Sequence, residues 1–166
     1  RFQYPSDATV LVDGYTVFVN GPVVDNNSWP VFMISYPKDR DDYHVPEGTD
    51  LQQWLIDHNL YVDQLQPNVI IAGTTAIHTR FQGSPQSFAN DSYHFVHDEQ
   101  MFVITIIHTG NKEDWALYNH FLESIQFDGN TSNASAPTAI PTALPFNASD
   151  YQGWWTYTHP VYNFSI

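Results

Sequence analysis

The residue pattern with the most definite chemistry in this chain is asparagine followed two positions later by serine or threonine. Such a motif accepts an N-linked oligosaccharide on the asparagine amide in secreted proteins. The motif occurs at Asn26, Asn90, Asn130, Asn133, Asn147 and Asn163. We therefore expect an extracellular or cell-surface glycoprotein that carries covalent glycans and uses no other cofactor.

A second candidate chemistry is metal binding. The stretch His94-x-x-His97, followed by Asp98, contains residue types that can ligate a metal ion. Residues three apart on a strand point to opposite faces, so this pair can bind one ion only if the chain bends there. A second group, Asp39, Asp41 and Asp42 with His44, lacks the glycine and closing glutamate of an EF-hand loop. We expect both groups to be solvated residues and predict no metal site.

Catalytic motifs are weak in this sequence. His78 and His108 fall in or at the ends of predicted strands, but no G-x-S-x-G elbow supplies a serine nucleophile. Paired carboxylates for glycoside hydrolysis are available among the 18 acids, but no pair is distinguished from the rest. We therefore predict that the chain is not an enzyme, and we keep an unrecognised secreted enzyme as the third hypothesis.

Composition restricts the partners. The formal net charge is −13, which disfavours nucleic acids and anionic membranes because both are themselves negatively charged. The chain has no cysteine, which removes disulfides and thiolate chemistry. No apolar run reaches the length of a membrane-spanning helix, so we expect no membrane insertion.

The elements that must position these residues are predicted from hydrophobic periodicity. Alternating or continuous apolar runs predict strands, and Asp13-Gly14 and the polar stretch 97–100 predict hairpin turns. The predicted strands are 8–13, 15–19, 29–36, 68–76 with an optional extension over 77–82, 92–96 and 101–108. Gly73 in the fourth of these indicates a bulge or a close approach of the backbone. The last predicted strand, with the sequence MFVITII, is the most apolar and should lie near the sheet centre.

Two helices are predicted. The first covers 50–58, with Thr49 as the N-cap of a capping box and Gln52 at its third position. The second follows a cap at Asn111, carries an apolar stripe from Trp115 to Ile125, and is followed by Asp128-Gly129. The expected fold class is α+β, an antiparallel sheet packed with two helices as an α/β sandwich. Trp54 and Trp115 lie on the apolar stripes of these helices and are expected in the core.

The two ends of the chain resemble parts of one strand. Alternation at the C-terminal end continues in phase when Ile166 is joined to Arg1. The residues that we assign to an inter-subunit strand are Trp154, Trp155, Tyr157, Tyr162, Phe164 and Ile166, and those of the acceptor start are Arg1, Phe2, Gln3 and Tyr4. Three explanations remain open: one unit cut from a tandem array, a strand donated to the next molecule, or a chance match of phase.

With the ends joined, the residues Trp155, Tyr157, Tyr162, Phe164, Ser165, Tyr4, Pro5, Ser6 and Asp7 form a recognisable opening pattern. It resembles secreted bacterial domains of the PsbP/Mog1-like α/β-sandwich type, as does MFVITII followed by a helix that ends FLESIQF. The resemblance covers roughly 1–128 and 154–166, and departs from the pattern at Ala8, where tryptophan is usual. It implies a fold and a binding or scaffolding role, not a chemistry. The separated strand further resembles filaments whose subunits exchange a terminal strand.

These observations divide the chain into a sandwich domain at 1–128, a linker at 129–150 and a donor strand at 151–166. The linker contains proline, serine and threonine with three sequons, which is typical of an extended spacer. The leading hypothesis is a structural subunit of an extracellular, glycan-coated filament or tandem-repeat fibre, joined head-to-tail to copies of itself by strand addition. The alternative is a secreted glycan- or peptide-binding module whose C-terminal strand folds back on its own sheet.

Overall fold

The computed structural model describes residues 1–21, 30–36, 43–58, 60, 64–85, 87–108, 115–127 and 154–157. Within them the chain forms nine strands and two helices. The strands are β1 Phe2–Pro5, β2 Thr9–Asp13, β3 Thr16–Asn20, β4 Pro30–Ser35, β5 Val69–Ile71, β6 Thr74–Phe81, β7 Ala89–His97, β8 Gln100–His108 and β9 Trp154–Tyr157. The helices are α1 Leu51–Asp57 and α2 Trp115–Ser124.

Seven of these strands form one antiparallel sheet in the order β2-β3-β4-β8-β7-β6-β5. β1 and β9 form a separate two-stranded ribbon. The sheet with its two helices confirms the predicted α+β class. β8, the MFVITII strand, is the central strand of the seven, as its apolar composition predicted.

The core lies on both faces of the sheet because alternate residues of β8 point opposite ways. Ile104 and Ile106 belong to the larger cluster, which contains Phe121 and Leu122 of α2. Met101 belongs to the smaller cluster, with Leu55 of α1. We call the α2 side the inner face of the sheet and the α1 side the outer face. Burial on both faces explains why β8 shows a continuous apolar run instead of an alternation.

Tight turns fix the register of the hairpins. β7 and β8 pair from Ala89↔His108 to His97↔Gln100, so their loop consists of Asp98 and Glu99. Both loop residues have positive φ, 50° and 60°, as a type I′ turn requires. The predicted hairpin around 97–100 is therefore confirmed. The hairpin predicted at Asp13-Gly14 is also present, with Gly14 at φ 56°.

Two details of the predicted elements are wrong. The strand expected at 68–76, with its extension to 82, is a hairpin. Ala72 and Gly73 both have positive φ and reverse the chain between β5 and β6, so Gly73 marks a turn and not the expected bulge. The N-cap of α1 is Asp50 instead of Thr49, and its carboxylate accepts a hydrogen bond from the Gln53 N–H at 3.2 Å. Asp50 sits one position later, so its side chain reaches the first turn that the helix forms.

The remaining differences concern the ends of elements. α2 ends at Ser124, and Ile125 and Phe127 beyond it return to the core. Trp29, the cap predicted at Asn111, the turn at Asp128-Gly129 and the linker at 129–150 lie outside the described residues. Trp54 is buried as expected, while Trp115 is half-buried against the larger cluster. No helix in the described ranges has the length and apolar character needed to cross a membrane.

Candidate functional site

The ribbon of β1 and β9 joins the two ends of the described chain. The strands pair antiparallel, with Phe2 opposite Tyr157 and Tyr4 opposite Trp155. Their ring centroids lie 5.8 Å and 6.4 Å apart, so the four aromatic rings share one face of the ribbon. Phe2 is fully buried, while Trp155 is 59% exposed. The alternation of Phe2, Gln3 and Tyr4 between buried and half-buried agrees with the sequence prediction for β1.

The other edge of β1 is fixed to the end of α2. The Gln126 N–H donates to the Arg1 carbonyl at 2.8 Å, and the Gln3 N–H donates to the Ser124 hydroxyl at 2.8 Å. Successive residues of a strand direct their N–H and C=O groups to opposite sides. Since Gln3 faces Ser124, the backbone groups of Phe2 and Tyr4 face β9. The strand edge that β9 covers is therefore formed by these two residues.

Side-chain packing anchors the same strand. The ring of Phe2 lies 5.1 Å from that of Phe121, edge to face, and Phe121 stacks on Phe32 of β4 at 3.9 Å. This chain of rings connects β1 to the sheet through α2. β1 is thus held in place from the sheet side and offers its second edge to one further strand.

A cavity of about 480 Å³ lies beside the ribbon, lined by Arg1, Phe2, Gln3, His120, Glu123, Ser124 and Gln126. It brings together a serine, a histidine and a glutamate, the residue types of a hydrolytic triad. The geometry differs from a triad, because the Ser124 hydroxyl donates to the Phe121 carbonyl at 2.7 Å. His120 Nε2 instead donates to Gln3 Oε1 at 2.9 Å. Burial lowers the pKa of His120, opposed by the nearby Glu123. These contacts hold β1 on α2 and do not activate the hydroxyl.

A second polar cluster lies on the inner face, around the fully buried Asp91 of β7. His78 Nε2 donates to Oδ1 at 2.5 Å and His108 Nε2 donates to Oδ2 at 2.7 Å. Arg80 binds both oxygens, through Nε at 3.0 Å and Nη2 at 3.2 Å. The guanidinium of Arg80 also lies 5.0 Å from the ring centre of Trp115. We call Asp91, His78, Arg80 and His108 the Asp91 network.

The contacts of the Asp91 network determine the pKa values of Asp91 and of its neighbour Tyr93. Burial alone would raise the pKa of the Asp91 carboxyl, but the hydrogen bonds from His78, Arg80 and His108 outweigh burial and lower it to about 2. Burial, together with the charge of Asp91, raises the pKa of Tyr93, which stacks on His78 at 4.5 Å. The network is therefore a buried, charged link between β6, β7 and β8 and does not line the described cavity.

His94, on the outer face, is the remaining buried titratable group of this region. Its Nε2 lies 3.4 Å from the Thr79 hydroxyl, and burial lowers its pKa to about 4. His97 points the other way and stacks on Phe127 at 4.0 Å. The two histidines thus lie on opposite faces, as their spacing predicted. The expectation that both are solvated is wrong for His94, which the fold buries to 9% exposure. Among the described residues, no group of three or more histidines and acids is arranged to hold a metal ion.

The predicted modification and interface residues are only partly within the described ranges. Asn90 lies in β7, and Arg1, Phe2, Gln3, Tyr4, Trp154, Trp155 and Tyr157 lie in or beside the ribbon. The residues Asn26, Asn130, Asn133, Asn147, Asn163, Tyr162, Phe164 and Ile166 lie outside them, as do Asp39, Asp41 and Asp42 of the acidic loop.

Sequence reasoning did not find the Asp91 network. The signal was present as His78 and Arg80, two residues apart on one strand and therefore on one face. Their partner was found only through the register Arg80↔Asp91. Comparison with known proteins identifies no matching family model, no matching curated protein and no matching solved structure.

Proposed function

We propose that the chain is a structural subunit of an extracellular, glycan-coated filament or tandem-repeat fibre, assembled head-to-tail by C-terminal strand addition. The observation that carries this proposal is the ribbon: the open edge of β1 is covered by a strand from the far end of the chain. In the described chain β9 pairs with β1 of the same chain, and under the proposal a β9 donated by a second copy would make the contacts of Phe2 with Tyr157 and of Tyr4 with Trp155 in its place. Exchange between copies then extends without closing.

The chain length between α2 and β9 suits such an exchange. Residues 129–150 contain three of the prolines of the chain and, in an extended polyproline conformation, would span roughly 70 Å. That distance exceeds the diameter expected for a domain of this size. A strand on such a tether can reach a neighbouring subunit as well as its own.

The resemblance to PsbP/Mog1-like domains belongs to this proposal. It is supported by the buried, alternating aromatic residues of β1 and by the MFVITII strand followed by α2. A scaffolding role, which the resemblance implies, also agrees with the cavity beside the ribbon. Its serine and histidine side chains, Ser124 and His120, bind Gln3 of β1. A charge of −13 and six sequons suit an exposed, extracellular surface.

A designed disulfide tests the exchange. Gln3 and Thr156 are opposite each other and form a non-hydrogen-bonded pair, whose Cα atoms lie about 4.5 Å apart, within disulfide range. The chain has no other cysteine, so Gln3→Cys combined with Thr156→Cys gives a single type of bridge. Head-to-tail exchange predicts a covalent ladder on a non-reducing gel that collapses to monomer on reduction.

The single variants Gln3→Cys and Thr156→Cys are the matched controls, since one thiol per chain allows nothing larger than a dimer. A bridged monomer without a ladder, at every protein concentration, would exclude head-to-tail exchange. That result would favour the second candidate, a secreted binding module, which is supported by the pairing of β9 with β1 of the same chain.

A further inference from the structure

The outer face of the sheet carries the sequon at Asn90 in a well-defined setting. Asn90 and Ser92 are two residues apart on β7 and share this face, and the Ser92 hydroxyl donates to Asn90 Oδ1 at 3.4 Å. The middle residue of the sequon, Asp91, points to the inner face and is fully buried in its network. The network thus fixes the orientation of β7 and with it the position of Asn90, which is half-buried, on the outer face.

The neighbours of Asn90 on the outer face are apolar. Phe81 of β6 is directly opposite Asn90 on one side, and Ile107 of β8 is directly opposite on the other. Directly opposite residues of antiparallel strands have their Cβ atoms about 5 Å apart. Phe81 is 44% exposed and Ile107 is half-buried. A group attached to the Asn90 side chain would therefore lie between the side chains of Phe81 and Ile107.

We propose that Asn90 carries an N-linked oligosaccharide whose first sugars pack on the ring of Phe81 and on Ile107. This inference rests on the secreted-glycoprotein part of the proposed function and is independent of strand exchange. Attachment joins the sugar to Asn90 Nδ2, whereas the hydrogen bond from Ser92 goes to Oδ1. The amide nitrogen is thus not the atom that Ser92 binds.

The transfer requires a lipid-linked oligosaccharide phosphate as donor and a separate transferase. The bond between the anomeric carbon and the phosphate oxygen breaks, and a bond from that carbon to Nδ2 forms. The amide nitrogen gives one proton to a base of the transferase, and the lipid phosphate leaves. No oxidant or reductant is needed.

The chemistry of the face fits a sugar better than a charged ligand. Phe81, Ile107, Ser92 and Thr105 are all neutral, and the hydroxyls of Ser92 and Thr105 lie 3.2 Å apart on the same face. An aromatic ring next to hydroxyl groups offers a sugar both an apolar platform and hydrogen-bonding partners. The occupant is already tethered at Asn90, so it does not have to bind from solution.

Peptide mapping tests occupancy, because the few basic residues of the chain separate the sequons. Cleavage after Arg80 and Lys112 releases peptide 81–112, in which Asn90 is the single sequon. Peptide 2–38 contains Asn26, and the other four sequons follow Lys112. In protein from the native secreting host, we expect the mass of 81–112 to exceed the peptide mass by whole sugar residues. Ser92→Ala should abolish this increase and Ser92→Thr should keep it.

Unmodified 81–112 beside glycosylated 2–38 or 113–166 would overturn this inference and leave the glycoprotein proposal standing. If all these peptides are bare, the glycan coat of the proposed function fails as well. The disulfide ladder between positions 3 and 156 is unaffected by either result, so failure of strand exchange is recognised separately.

A second measurement tests the packing of the sugar on Phe81. Phe81→Ala keeps the sequon, so occupancy should be unchanged, while enzymatic removal of the glycan from the folded protein should accelerate on the order of twofold or more. Leu11→Ala is the matched control, because Leu11 is exposed on the same face at the far edge of the sheet, on β2. Equal removal rates for Phe81→Ala and the unaltered protein would show that the glycan does not rest on the ring.

Discussion

His78 and His108 approach one carboxylate from the two strands that flank it, at 2.5 Å and 2.7 Å, and leave Asp91 with no exposed surface. With Arg80 on both oxygens, the arrangement fixes the register of β6, β7 and β8 through charge. Removing one member of a buried ionic network leaves the others unpaired, which generally costs more than the network contributes.

We expect Asp91 to control stability at the acid end of the pH range. Its pKa is about 2 in the folded chain and about 3.9 in an unfolded one. A lowered folded pKa contributes stability above the unfolded value, and this contribution disappears as pH falls from about 4 to about 2. The pKa difference of about 1.9 corresponds to between about 2 and 3 kcal/mol. Urea unfolding between pH 2 and 7 measures it.

Asp91→Asn should remove this acid dependence and lower the free energy of unfolding at pH 7 by roughly 3 kcal/mol, because it removes the buried carboxylate charge that Arg80 binds. Asp13→Asn is the control, since Asp13 is an exposed acid at the end of β2. An Asp91→Asn profile parallel to that of the unaltered chain would contradict the expectation.

His94 should make the free energy of unfolding depend on pH in a range above that of Asp91. Burial lowers its pKa to about 4, against about 6.5 when unfolded, so the unfolded chain binds the extra proton between these values. Stability is fully present above about 6.5 and falls as pH decreases to about 4, by about 3 kcal/mol. His94→Gln should flatten this window in chemical unfolding. His44, an exposed histidine, provides the control as His44→Gln.

The turn between β7 and β8 should be open to stabilisation. Asp98 and Glu99 both have positive φ, which costs a non-glycine residue energy that glycine avoids. The double substitution Asp98→Asn with Glu99→Gly introduces the asparagine–glycine pair that type I′ turns prefer, and should raise the free energy of unfolding by about 0.5–1 kcal/mol. Thermal unfolding measures this, and an unchanged or lower midpoint would argue against the type I′ geometry.

The position of the helix cap can be checked by a pair of alanine variants. Asp50→Ala should lower the free energy of unfolding by about 1 kcal/mol, because Asp50 accepts the Gln53 N–H. Thr49→Ala should leave it nearly unchanged. The opposite ranking in a denaturant titration would restore Thr49 as the cap.

The periodicity of apolar residues predicted those helices and strands whose pattern is contained in a short stretch of sequence. α2 and the β7–β8 hairpin were foreseen because their apolar residues repeat at helical or strand spacing. The β5–β6 turn was missed because Ala72-Gly73 lacks the asparagine or aspartate that usually marks such a turn. The Asp91 network was missed for a different reason: Asp91 and His78 are 13 residues apart and meet only through strand register, which local patterns do not give.

The pairing of β9 with β1 should depend on protein concentration. A strand tethered through residues 128–153 meets its own β1 at an effective concentration on the order of millimolar. If β9 exchanges between copies as proposed, dilute chains should close into rings of one, and chains crowded at a surface should form longer species. The length of the tether sets this ring–chain balance. Shortening it until β9 fails to reach its own β1 should remove the closed form and favour polymer at any concentration.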